Sequence, residues 1–177
     1  MPVAFDILSV PSRDRVRVLF TSTIEGRVSI PELRDVLPDV WTLCEFPTRQ
    51  RSAWLTLFEI VGYVSDTEEA LEGDLRVFRG WCRPPEARGM SWTLDIEKAR
   101  WFAHRCAPLG GRARVYEATV QAADVLGYFT ERGESEIVVS PRSLQFVRHV
   151  DPGEPPAMTP EERAALRLTL LVRMRDH

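Results

Sequence analysis

The chain has 177 residues, 44% of them hydrophobic and 28% charged, which fits one ordinary globular domain with room for a proper core. A net charge of -3 gives no global field to attract DNA, RNA or anionic lipid. Cys44, Cys82 and Cys106 are odd in number and make no CxxC or Cys/His spacing, which argues against a structural zinc site and reads as free thiols in a reducing compartment.

The N-terminal residues lack the basic start and apolar run of a signal peptide, and no apolar segment approaches the roughly 20 residues that span a bilayer. A cytoplasmic protein without membrane contact is expected, though an effector exported without a cleaved signal would look the same. Residues 1–70 read as mainly helical. Ser29-Ile30-Pro31-Glu32 marks a helix start, with a capping serine, a proline in the first turn and an acid after it. That helix is predicted to stop before Pro38. Trp54, Leu55, Leu57, Phe58, Ile60 and Val61 mark an apolar helix closing near Gly62, and their aromatic cluster reads as core.

From residue 75 the pattern changes to strands. Residues 75–78 form a short strand candidate ended by Gly80, and 90–93 form a second, after a loop with Pro84, Pro85 and Gly89. Asp95 opens a helix with Ile96, Ala99, Ala103 and Cys106 on one face, closed by Gly110-Gly111. It carries Lys98, the only lysine beside many arginines, a skew that fits coding bias better than function. His104 falls on its polar side and reads as solvated. Residues 114–120 alternate as a strand, with Val115, Glu117 and Thr119 opposite Tyr116, Ala118 and Val120. Two further strands are predicted at 137–140 and 144–148, broken at Pro141. Residues 151–158, with three prolines and a glycine, read as a linker. Thr159-Pro160-Glu161-Glu162 is a strong helix start, and an amphipathic C-terminal helix is predicted over 159–177. Its apolar stripe of Ala165, Leu168, Leu171 and Val172 is expected to dock on its own domain or to meet a second copy or an inhibitor.

Three short motifs in order carry the chemistry: Phe78-Arg79-Gly80, Ser91-Trp92-Thr93, and Glu134-Ser135-Glu136 ahead of Ile137-Val138-Val139. On a strand, residues two apart share a face, so Ser91 and Thr93 point together while Trp92 turns toward the core. Glu134 and Glu136 also share a face if the strand extends that far. No GxSxG, HExxH, Walker loop or GxGxxG is present.

The ordered set resembles the arginine–serine–glutamate class of mono-ADP-ribosyltransferases, including their toxins, over about 65 residues from Val77 to Pro141. Ser-Trp-Thr departs from that family's usual Ser-Thr-Ser at the second and third positions but keeps hydroxyls on one side. The resemblance implies an α+β fold, with two small packed β-sheets around an NAD cleft and flanking helices. The core of a single domain would span 71–150. It implies NAD as substrate and no metal. Arg79, with Gly80, Ser91 and Thr93, would form the NAD-binding group. Arg79 would contact the phosphates and nicotinamide ribose, and Ser91 would orient the catalytic glutamate. Glu136 would act on the ribose 2′-hydroxyl, and Glu134 would act as base or guide for the nucleophile. The turn over 127–133, with Tyr128 and Phe129 as exposed aromatics, matches the family's acceptor-recognition turn in position.

Breaking the nicotinamide–ribose bond releases a cation as a neutral group, so no general acid is needed. The protein must fix the dinucleotide and stabilise an oxocarbenium-like ribose. The expected activity is ADP-ribosyl transfer from NAD to a protein or nucleic-acid acceptor. The alternatives are an NAD glycohydrolase with the same site, and a binding module that kept the fold without the chemistry. RNA 2′-phosphotransferases share this general fold, but their basic and histidine constellation is not apparent. A role in a toxin–antitoxin pair, in phage defence or in modifying a host is open.

Overall fold

The computed structural model describes residues 7–44, 50–82, 88–107, 111–131, 133–155 and 159. Helices α1 (Ser12–Ile24), α2 (Ile30–Thr42) and α3 (Arg51–Val61) come first. Helix α2 starts where the sequence predicts. The Glu32 N–H donates to the Ser29 hydroxyl, and the Ser29 N–H donates to the Glu32 carboxylate at 2.9 Å, a reciprocal cap. It does not stop before Pro38. An interior proline costs about 3 kcal/mol. Val40 and Trp41, both beyond the proline, are buried on this helix. At about 1.5–3 kcal/mol for each large side chain, their burial together offsets the proline. Helix α3 closes at Gly62, whose φ is 78°. Trp41 meets Trp54 and Phe58 edge-on, with centroids 4.9 and 5.3 Å apart, so this aromatic cluster is core as expected.

The strands are β1 (Val64–Ser65), β2 (Asp74–Trp81), β3 (Ser91–Thr93), β4 (Arg114–Gln121), β5 (Val125–Phe129), β6 (Glu136–Val139) and β7 (Gln145–Val150), with helix α4 (Ile96–Cys106) after β3. The fold is α+β, built on one mixed seven-stranded sheet in the order β1-β5-β6-β3-β2-β4-β7. Only the β1–β5 pair is parallel. Two separate sheets were expected. The structure instead joins a four-stranded and a three-stranded half through one pair, Phe78 with Thr93, although all three β3 residues pair with β6.

Each half has its own outer cover. Helices α1–α3 bury Val64, Met90, Phe129 and Val138, and α4 buries Phe78 and Val115 with Ala99 and Ala103. Val77, Ala118 and Val120 of one half share a core with Trp92, Tyr128, Ile137 and Val139 of the other. Helix α4 is capped by Asp95, which accepts from the N–H groups of Glu97 and Lys98 at 2.8 and 3.3 Å.

Two further expectations change, and a third falls outside the described residues. His104 is not simply solvated: its Nε2 lies 3.1 Å from the carbonyl oxygens of Pro152 and of Gly153, holding the start of the expected linker against α4. Cys82 is in a disulfide, so the cysteines are not all free thiols; distance along the chain does not fix distance in space. The helix predicted over 159–177, with its docking or partner role, falls outside the described residues beyond Thr159. Among the described residues no helix is long and apolar enough to cross a membrane.

Candidate functional site

The first two motifs lie on β2 and β3, and Glu136 of the third opens the neighbouring β6. Register sets Ser91 opposite Val138 and Thr93 opposite Glu136. The Ser91 hydroxyl donates to Glu136 Oε1 at 2.6 Å, the contact expected of an orienting serine. Arg79 Nη1 donates to the Ser91 carbonyl at 2.5 Å. One serine therefore links the arginine to the glutamate. Trp92 turns inward as predicted, 2% exposed. Thr93 Oγ1 donates to the Glu134 carbonyl at 2.5 Å and accepts from the Asp95 N–H at 3.1 Å, so it ties the acidic turn to the start of α4.

Glu134, Glu136, Asp66, Glu131, Thr42 and Phe129 line a small open cleft, whose four carboxylates suit a cationic group. Both acids reach it, but simple alternation is not the reason. The strand begins only at Glu136, and Ser135 has φ 43°, a left-handed conformation that non-glycine residues seldom take. That kink, next to Gly133 at φ 61°, turns Glu134 into the same cleft.

Other predicted residues sit elsewhere. Arg79 and Thr93 are 7% and 5% exposed and do not line the cleft. Gly80 faces α4: a Cβ there would lie 1.9 Å from the Ala99 carbonyl, so its missing side chain serves strand-on-helix packing, not a ligand. Tyr128 and Phe129 are not exposed turn aromatics. Both are 3% exposed on β5, where Tyr128 donates its hydroxyl to Glu69 at 3.0 Å and only Phe129 borders the cleft. Burial, then the Glu69 contact, raises the Tyr128 phenol above its ordinary value. A register shift between Val125 and Gly127 lets β5 send Val125 and Tyr128 to the inner core and Phe129 to the helices.

Sequence reasoning missed Thr42, Asp66 and Glu131. Asp66 caps the turn after β5, accepting from the Thr130 N–H at 2.8 Å and the Glu131 N–H at 2.9 Å. An aspartate just after a two-residue strand carries no pattern that would have flagged it. Among the described residues, no group of three or more His, Cys, Asp or Glu side chains is arranged to hold a metal ion. Compared with known protein families, curated proteins and solved structures, the chain finds no match.

Proposed function

We propose that this chain is a mono-ADP-ribosyltransferase that cleaves NAD at the nicotinamide–ribose bond. The observation that carries the reading is the 2.6 Å hydrogen bond from Ser91 to Glu136 at the cleft, with Arg79 bound to the same serine. In this reading the cationic nicotinamide–ribose end enters the acidic cleft. The bond from C1′ to the nicotinamide nitrogen breaks, its electron pair leaves with the ring, and nicotinamide departs neutral. Glu136, fixed by Ser91, holds a ribose hydroxyl and offsets the charge developing on the ribose. The acceptor attacks C1′, and Glu134 takes the proton it releases. Arg79 serves as a brace for Ser91, since its guanidinium is buried in strand contacts.

Incubation with NAD, followed by release of nicotinamide and by mass spectrometry of protein and RNA for added ADP-ribose, tests this. Glu136→Gln is expected to lower nicotinamide release about 10²-fold or more, as loss of a transition-state charge partner does. Glu134→Gln is expected to reduce transfer more than hydrolysis. A wild-type protein that releases no nicotinamide ends the reading. The burial of Tyr128 and Phe129 favours a second reading, an NAD glycohydrolase, because it removes the aromatics expected to grip an acceptor. Nicotinamide release with free ADP-ribose as the only product would select it.

A further inference from the structure

Gly89 lies outside the three motifs and Trp92 was expected only to enter the core, yet both act on Arg79. A Cβ built on Gly89 would lie 2.3 Å from Arg79 Cζ, 2.5 Å from Nη2 and 2.8 Å from Nε. The guanidinium therefore rests directly on the glycine. Its φ lies outside the left-handed region, so alanine is conformationally acceptable there and only space demands glycine. Gly89 is itself pinned. The Trp92 indole N–H donates to its carbonyl at 2.9 Å, and Trp92 is 2% exposed in the strand core with Val77, Ile137 and Val139. The next residue, Met90, accepts from the Val139 N–H at 2.9 Å. The Trp81 ring lies 5.0 Å from Arg79 Cζ on the same strand.

We propose that Gly89 and Trp92 are positioning residues: they form a seat that holds the Arg79 guanidinium against the Ser91 carbonyl and so fixes the Ser91 hydroxyl on Glu136. Rigidity passes from the core through the indole to Gly89, then through Arg79 to Ser91. Trp92 follows Ser91 on β3, so one short strand carries both the seat's anchor and the serine it serves. The catalytic consequence rests on the reading of Glu136 as the acid that acts on ribose. The seat itself does not.

Gly89→Ala forces the far end of a flexible side chain to move, so the fold should persist while Arg79 leaves Ser91. Misplacing a reacting group by about 1 Å can cost about 10²-fold in rate. Gly89→Ala is therefore expected to lower kcat for nicotinamide release about 10- to 100-fold, with KM for NAD within about twofold of wild type. Trp92→Phe, which keeps a ring in the core but removes the N–H, should produce a smaller fall of the same kind. In an Arg79→Ala background, Gly89→Ala should add nothing, because the groups it displaces are gone. A raised KM with unchanged kcat, or additive losses in the double variant, would overturn the seat. NMR of the Arg79 Nε–Hε group and of the Glu136 carboxyl titration needs no activity. Both signals should change in Gly89→Ala at unchanged melting temperature, and identical spectra would also overturn the seat. A wild type that leaves NAD intact, with these signals changed as expected, would sink the proposed function and leave the seat standing.

Discussion

Glu117 sits in the middle of β4 with 8% exposure, and two arginines from the flanking strands reach it. Arg76 Nη2 donates to Oε2 at 2.8 Å and Arg148 Nη2 to Oε1 at 2.7 Å. Arg148 is its direct cross-strand partner. The hydrogen bond from Arg76 is the main cause that holds the Glu117 carboxyl below its ordinary value of 4.5; burial opposes it and Arg148 adds to it. A depressed value means the contribution to stability is complete above the ordinary value and is lost as pH falls through the lower, folded one. Glu117→Gln should therefore melt below wild type at pH 7, and the gap should close as the pH drops below about 4.5. The arginine side chains are 63% and 65% exposed, so solvent screening keeps the gap small. A gap independent of pH would show that shape, not charge, holds this row. Single residues were legible in the sequence where chemistry and order coincide: Arg79, Ser91 and Glu136 do meet. They were not legible where only tertiary contact selects them, as with Thr42, Asp66 and Glu131 in the cleft.

Elements were legible where a local signal marks an end. Ser29 and Asp95 cap their helices and Gly62 closes one, as their residue types require. The signals failed where packing overrode them. Pro38 read as a stop, but the buried Val40 and Trp41 carry α2 past it. Gly127 and Gly133 made 127–133 read as a loop, yet Val125–Phe129 is a strand with a bulge, and its aromatics fill two cores. Alternation also misdescribed Glu134, because the left-handed Ser135 precedes the strand. If α2 keeps Pro38 only because its neighbours are buried, replacing it should help. Pro38→Ala restores a backbone donor and is expected to raise stability by up to about 3 kcal/mol. Chemical denaturation would read this as a higher midpoint at unchanged slope. An unchanged or lower midpoint would mean the proline is accommodated without cost in this helix.

Across the whole molecule, the backbone and the side chains give different impressions of the sheet. By hydrogen bonds it is almost two sheets, since β2 and β3 share one pair. By side chains it is one body, because Val77, Ala118 and Val120 pack with Trp92, Ile137 and Val139 across the join. Magnitude decides between them. A backbone hydrogen bond contributes about 1 kcal/mol net, whereas each large buried apolar side chain contributes about 1.5–3 kcal/mol. The shared core therefore dominates the join, and the halves should unfold together. Circular dichroism and tryptophan fluorescence should give coincident denaturation curves, and the protected amides of β4 and β6 should exchange with the same opening free energy. Trp92 lies at this junction, so Trp92→Ala should lower the common transition by about 3–5 kcal/mol without splitting it. Two resolved transitions in the wild type would show that the single backbone pair, and not the core beneath it, sets the cooperativity of the fold.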